Sequence, residues 1–273
     1  MTKQWRLIQS EPLNGAMNMA IDEAVLEFVG KKVSPPTLRL YAWNPPCLSL
    51  GYAQPYSDVD EQALTALQWD VVRRPTGGRA ILHTDEITYA IIAHQEEPEV
   101  EGGILDSYRR LSKGLLQALK ILNINANADK EYNLPAGSQK NGPVCFEVPS
   151  NYEITVDGKK LIGSAQARRQ EGVLQHGSLP LYGDLTRILK VLSIANEENR
   201  KINSEKLRNR ATTVEAVLKR LISWQEAANA IIAGFSTALG LEFFPGELSP
   251  NEMARAGQLV VEKYANPAWI KRL

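Results

Sequence analysis

The chain has 273 residues, 44% of them hydrophobic and 23% charged, with 31 basic and 31 acidic side chains and a formal net charge of zero. That length and composition fit one large globular domain or two small ones, able to bury most of their apolar surface. The even charge lacks the basic excess of nucleic-acid binders, two cysteines cannot make a disulfide framework, and no apolar run approaches membrane-spanning length.

The opening MTKQWRLIQSEP has no apolar core of signal-peptide length. The expectation is a cytoplasmic protein with reduced thiols, without membrane or nucleic-acid partners. Three histidines and two cysteines, none at metal-ligand spacing, argue against a structural metal site.

In chain order, Gln4 to Ile8 reads as a short strand. Gly15 to Val29 reads as an amphipathic helix, with Met17, Ala20, Ile21, Ala24, Val25 and Phe28 at helical spacing and Asp22, Glu23 and Glu27 elsewhere. Gly30 suits its C′ position. Thr37 to Trp43 and the run CLSLGY after Pro45-Pro46 are strand candidates, and Asp58 to Leu67 a short helix with acidic residues in its first turn. Asp70 to Arg74 and Arg79 to His83 read as strands about a Pro75-Thr76-Gly77-Gly78 turn, with a further strand from Glu86 to His94. A helix is expected from Ile104 to Leu122, and an exposed polar loop from Asn125 to Gly142 that leads into Cys145.

Asn151 to Val156 and Lys159 to Ala167 form the strongest local pattern. They flank Asp157-Gly158, the pair that a type I′ hairpin turn favours because both central residues need positive φ. Period-two alternation would place Lys160, Ile162, Ser164 and Gln166 on one face. Val173 to Tyr182 follows as a third strand. From position 184 helices dominate: Asp184 to Ala195, Thr212 to Lys219, Ser223 to Leu239 and Pro250 to Tyr264, with one strand at Leu241 to Phe244. Grouped strands with intervening and following helices argue for an α+β fold. No linker forces a division, so 1–273 reads as one catalytic domain, with a strand-rich core in 1–183 and a helical portion in 184–273.

Several residues could carry chemistry. Cys145 could be a nucleophile that attacks acyl carbon, against the alternative of a buried core thiol. For Cys47, in an apolar run, the core reading prevails. Lys160, if it faces inward, could stabilise developing negative charge; facing outward it is a solvated strand lysine. The RRPTGGR stretch offers two glycines where a ligand could approach the backbone, with flanking arginines suited to a phosphate. It lacks the spacing of a P-loop, and a plain hairpin turn explains it equally well. His83 and His176 each end a short strand and either could act as a base, or be a hydrogen-bonded structural histidine; nothing promotes His94. The stretch Asp184 to Arg220 is locally basic, and its default reading is a solvated helical face.

Taken together, RRPTGGRAILH, CFEVPSNYEI and GKKLIGSAQARRQEGVLQHGSLPL resemble the biotin/lipoate protein transferase and ligase family. Within it the match is to octanoyl-carrier-protein:protein N-octanoyltransferases that use a cysteine in a CF-x-x-PS context. WRLIQSEPLNGAMNMAIDEAVL, LRLYAWNPPCLSLGY and KYANPAW extend the resemblance over nearly the whole chain. It implies a mixed, mainly antiparallel sheet with flanking helices, as in biotin/lipoate ligases. It implies transfer of an octanoyl group from acyl carrier protein to a lysine of a lipoyl-accepting protein, such as the glycine-cleavage H protein, with no ATP or other cofactor; a monomer is expected. Carried over by position, Cys145 matches the acyl-accepting cysteine and Lys160 the lysine of the K-x-x-G-S run that also holds Gly163 and Ser164. Arg73, Arg74, Gly77, Gly78 and His83 match the substrate-cradling stretch, with His176 beside them. Where this chain has Pro149 to Glu153, lipoate ligases of the same fold carry an Asn-Asp-containing strand, and they favour a third glycine at Arg79. The rival readings are an ATP-dependent lipoate or octanoate ligase, an octanoyl or lipoyl amidotransferase between lipoyl domains, and a non-catalytic module that binds a carrier protein.

Overall fold

The computed structural model describes residues 3–128 and 153–273. Two sheets carry the architecture. Strands β1 (Lys3–Gln9), β2 (Thr37–Tyr41), β3 (Cys47–Leu50), β4 (Asp70–Arg73), β5 (Ile81–His83), β6 (Glu86–His94), β7 (Asn127–Ala128), β8 (Ile154–Val156), β9 (Lys159–Arg169), β10 (Gly172–Pro180) and β11 (Leu241–Pro245) occur in that order. Within the described residues the larger sheet runs β11-β1-β2-β6-β10-β9-β8-β7, and the smaller β4-β3-β5. The pairs β1–β11, β1–β2 and β3–β4 are parallel and the other ladders antiparallel. This is the α+β class read from the residues, and the mixed, mainly antiparallel sheet with flanking helices that the family resemblance implies.

The helices are α1 (Gly15–Gly30), α2 (Glu61–Leu67), α3 (Ile104–Ile121), α4 (Glu197–Arg210), α5 (Val214–Leu218), α6 (Trp224–Leu239), α7 (Pro250–Leu259) and α8 (Pro267–Ile270). They cover both faces of the larger sheet, so β6 and β10 are buried along their whole length, polar residues included. On one face Leu38, Leu40, Tyr89 and Ile91 pack with Leu111, Leu115, Ile231 and Phe235 of α3 and α6. On the other Tyr41, Ala90, Ile92 and Leu174 pack with Ile21, Ala24 and Val25 of α1 and with Ala256 and Leu259 of α7. Each fully buried Leu, Ile, Val or Phe among them contributes roughly 1.5–3 kcal/mol. The smaller sheet has its own core, where Leu48, Leu50 and Ile81 meet Leu189 and Val191.

The helical portion departs from expectation in several places, the short helix α8 among them. Leu185–Val191 is a 3-10 helix rather than an α-helix. The segment after it, unassigned from sequence, is α4. Its sequence EENRKINSEKLRNR buries only Leu207, so it has no apolar period to detect. The end signals were there instead: Asn196 caps Asn199, Glu197 and Glu198 open the helix, and Arg208 and Arg210 close it. The expected Pro250–Tyr264 helix is α up to Leu259 and then a π-helical turn from Val260 to Tyr264.

A buried ion pair fastens β1 to the start of α7. Arg6 donates from Nη2 to Glu252 Oε1 at 2.6 Å and from Nη1 to Oε2 at 2.8 Å, and Glu252 completes a capping box with Ser249. Both side chains are buried. Removing one partner of such a pair strands the other charge, so Glu252→Ala is expected to lower the unfolding free energy by about 3–5 kcal/mol. Denaturant unfolding that shows a loss below about 1 kcal/mol would refute this role.

Candidate functional site

A cavity of about 540 Å³ opens where the middle of β9 and β10, the Pro75–Arg79 turn, β5 and the first turn of α3 come together. Its inner wall is Met19, Tyr41 and Trp43, all buried, with Ile81 beside them. Ile104 and Leu105, about half exposed, stand at its mouth. An apolar hollow with a few fixed polar groups suits a ligand whose tail is aliphatic.

Beneath the wall lies a polar network that holds the backbone of the site. Asp22 Oδ1 accepts from Arg39 Nη1 at 2.8 Å and Asp22 Oδ2 from the Tyr41 hydroxyl at 2.8 Å. His176 Nδ1 faces the same Oδ2 at 3.4 Å, and its Nε2 lies 2.7 Å from Thr76 Oγ1. The network assigns a neutral imidazole that donates to Asp22 and accepts from Thr76. Asp22 was expected on the polar side of its helix; it is fully buried. The missed signal lies on β2, where Arg39 and Tyr41 share a face with β6 residues that pack on α1.

A second carboxylate–imidazole pair parallels the first. Glu86 Oε1 lies 2.8 Å from His83 Nδ1 and accepts from Ser178 Oγ at 2.9 Å. His83 Nε2 lies 2.7 Å from Ser49 Oγ, which accepts from Arg74 Nη1 at 2.7 Å. Trp43 stacks on the His83 ring at 4.0 Å between centroids and donates its Nε1–H to Thr88 Oγ1 at 2.8 Å. Both histidines line the cavity, and each has its ring nitrogens committed to neighbours.

Burial, the largest influence, pushes the Asp22 carboxyl up, but the His176 hydrogen bond and the Arg39 charge outweigh it and hold it below its ordinary 3.8. Burial also pushes Glu86 up, and the His83 charge and hydrogen bonds hold it below 4.5. For His176 burial wins over Asp22, and its pKa falls below 6.5. Burial drives the Cys47 thiol well up, which fits the core reading of that residue.

The RRPTGGR stretch divides its labour. Arg74 supports the turn from within, with Nη1 donating to the Ser49 carbonyl at 2.8 Å and Nη2 to the Gly77 and Arg79 carbonyls at 3.0 Å. Gly77 and Gly78 line the cavity. Gly78 has φ +93°, and a Cβ on Gly51 would come within 1.8 Å of the Gly78 carbonyl oxygen, so this turn needs glycine on both sides. Arg73 corrects the expectation that it cradles substrate. Its guanidinium points away from the cavity and donates to the carbonyls of Gly51, Gln54 and Ile270 at 2.9, 2.6 and 2.9 Å. It ties the Gly51–Gln54 loop to the C-terminal segment.

Lys160 is buried and its Nζ lies 2.7 Å from Glu153 Oε1. The expected sharing of one face with Ser164 and Gln166 does not hold. Thr155 pairs with Lys160 but Ile154 pairs with Ile162, so Leu161 is an extra residue and the two neighbours of the bulge face opposite ways. Lys160 therefore lies along Gly163, where a Cβ would stand 3.1 Å from its Cε and 3.6 Å from its Nζ. Ser164 and Gln166 turn toward α3: Ser164 Oγ meets the Tyr89 hydroxyl at 2.6 Å, and Gln166 Nε2 donates to Ser107 Oγ at 3.0 Å. Gly163, Ser164 and His176 all line the cavity. Cys145, most of the loop expected at 125–142 and the first two residues of the strand expected at 151–156 lie outside the described residues. Among the described residues no group of three or more His, Cys, Asp or Glu side chains is placed to hold a metal ion, and no helix is long and apolar enough to cross a membrane.

Residues 14–236 match the model of the lipoyl protein ligase A/B catalytic domain, and the chain belongs to that family. Near-full-length relatives include the octanoyltransferase LipM of Carboxydothermus hydrogenoformans, 40% identical over 98% of this chain and 98% of its own. Those of Symbiobacterium thermophilum and Bacillus subtilis are 38% and 36% identical, covering 100% and 97% of both chains. Among solved structures, a bipartite lipoate protein ligase from Thermoplasma acidophilum superposes with TM-score 0.80 at 24% identity over 98% of this chain and 96% of that one. Lipoate-protein ligase A bound with ATP gives 0.79 at 24% identity, with both chains covered completely. These two show the fold.

Two outcomes follow from the geometry. Acidification adds protons to the unfolded chain at His176 below pH 6.5, and at Glu86 and Asp22 below 4.5 and 3.8, before the folded state takes them up. Stability therefore falls as pH drops. The thermal midpoint should begin to decline near the upper value and fall more steeply in the carboxylate range, and His176→Gln should remove only the upper phase. A midpoint that stays flat from pH 7 to 5 in the parent would contradict this. Separately, Gly51→Ala should cost about 1–3 kcal/mol by overpacking against the turn and should reduce catalytic activity through displacement of Gly78. Unchanged melting and unchanged activity together would show that the contact is dispensable.

Proposed function

We propose that this protein moves an octanoyl group from acyl carrier protein to one lysine of a lipoyl-accepting protein, with Cys145 as the transient acyl carrier. The chain is an octanoyltransferase of lipoate biosynthesis, and the proposal concerns its partners, intermediate and catalytic residues. The observation that carries it is the pairing of an apolar cavity with a buried lysine packed against Gly163 of its lining, in a chain related over nearly its full length to octanoyltransferases.

The Cys145 thiolate attacks the thioester carbonyl of the donor. The carbon–sulfur bond to the pantetheine sulfur breaks, and that sulfur leaves as a thiolate that takes up a proton. One thioester replaces another, so no ATP is needed to activate the acid, and no metal or other cofactor enters. The acceptor lysine amine then attacks the octanoyl-cysteine, releases a proton and leaves a stable amide, and the Cys145 thiolate is restored.

Lys160 supplies positive charge to the oxyanion of each tetrahedral intermediate. Glu153 holds its ammonium at 2.7 Å, and the absence of a side chain on Gly163 lets it lie close to the backbone there. The seven chain carbons below the carbonyl, each contributing about 0.8 kcal/mol when buried, yield roughly 5–6 kcal/mol of binding. His83 and His176 position the wall and the turn, because Glu86, Ser49, Asp22 and Thr76 occupy their nitrogens. The acceptor is a lipoyl domain such as the glycine-cleavage H protein, and the enzyme acts as a monomer in the cytoplasm.

Intact-mass spectrometry tests this directly. With octanoyl–acyl carrier protein and no ATP, one octanoyl adduct should map to Cys145 and disappear when apo H protein is added. Cys145→Ala should abolish adduct and transfer without loss of fold, and Lys160→Ala should slow transfer by ~10² to 10³. Octanoylation only with free octanoate and ATP would identify a ligase instead.

A further inference from the structure

Beside the acyl cavity runs a second hollow of about 440 Å³ that shares Gly77, Gly78, Arg79 and Gln166 with it. Tyr52, Arg168 and Arg169 complete its polar wall, and no Asp or Glu lines it among the described residues. The apolar hollow thus leads into a cationic one across a turn that carries no side chain at Gly77, where a Cβ would meet nothing within 4 Å.

The arginines of this wall are held in place more than they are neutralised. Arg168 donates from Nη2 to the Val100 carbonyl at 2.7 Å and from Nε to Gln166 Oε1 at 3.1 Å. Arg169 reaches the Pro75 carbonyl at 3.5 Å and passes over the Tyr52 ring at 5.7 Å from its centroid. Its carboxylate neighbour, Glu23, stands 3.7 Å from Nη1 and already accepts from Lys263 Nζ at 2.6 and 2.7 Å and from the Tyr264 hydroxyl. Carbonyl and amide partners fix a guanidinium's direction but cancel none of its charge. Like charges gathered on one wall repel, and an anion seated among them relieves that repulsion while accepting paired N–H bonds.

We propose that this arginine-lined hollow binds the phosphodiester of the donor's phosphopantetheine arm, so that the arm crosses the Gly77-Gly78 turn and delivers the octanoyl chain into the apolar cavity. This rests on the transferase reading above, in which the donor is a thioester whose pantetheine arm ends in a phosphodiester. The arrangement also accounts for the division between the two hollows: the tail is bound by burial, the arm by charge.

The test compares three donors: octanoyl–acyl carrier protein, octanoyl-4′-phosphopantetheine and octanoyl-pantetheine, which lacks the phosphate. Arg169→Gln should raise KM for the first two roughly 10- to 100-fold, the size of one charge-assisted contact. It should leave kcat unchanged and leave octanoyl-pantetheine unaffected, which also shows the variant to be folded. Arg169→Lys should recover part of the loss. Equal loss on all three donors, or no loss on any, would overturn the assignment. Loss confined to the protein-bound donor would overturn it in favour of the carrier's acidic surface. Should the parent protein use none of these donors but load octanoate with ATP, the transferase reading itself fails, and this one with it.

Discussion

The Asp22 carboxylate is the constraint on which the site depends. It is a charge at the centre of a packed core, and it persists there because Arg39, Tyr41 and His176 all address it. Those three side chains come from β2 and β10, and Asp22 from α1, so one carboxylate fixes the helix against two strands that β6 separates. Through His176 the same chain of contacts reaches Thr76 and sets the height of the glycine turn above the cavity. A buried polar network of this kind is stabilising only when every member is satisfied. It therefore specifies a single arrangement where purely apolar packing would tolerate several.

The second organising feature is the bulge at Leu161. A regular hairpin would send Lys160 to the face of Ile162 and away from Gly163. One extra residue on β9 reverses it, and the ammonium ends beside Glu153 and the Gly163 backbone. The rest of β9 keeps its alternation, so Ser164 and Gln166 still brace Tyr89 and α3. The strand thus serves two layers at once: its start buries an ion pair with Glu153, and its middle anchors the cavity to the helix behind it.

The two histidines take up parallel structural tasks. Each sits between a carboxylate and a hydroxyl, Glu86 and Ser49 for His83, Asp22 and Thr76 for His176. With both nitrogens engaged, each imidazole works as a rigid strut. Trp43 relies on one of them, stacked on His83 and tied to Thr88, so this part of the cavity wall is held from two sides.

Much of this was legible from residue order. Period-two alternation marked β2, the Asp157-Gly158 pair marked the hairpin, and both residues indeed take positive φ. Local signals of that sort survive because backbone sterics act over a few residues. The motifs also pointed to Lys160, the Gly77-Gly78 turn and both histidines as neighbours of one site. Other features had no local expression. Helix α4 lacks an apolar stripe, so periodicity passed over it. Asp22 looked like a surface acid on an amphipathic helix, and Arg73 like a substrate ligand in a basic motif, because neither burial nor direction is encoded within a turn or two of chain. Which face Lys160 takes was settled by strand register, and the partners of Asp22 and Arg73 by contacts 17 and 197 residues away in sequence. The sequence by itself determined the elements and the chemical inventory; the tertiary structure alone decided which charges are buried together, because only packing removes the water that would otherwise keep them apart.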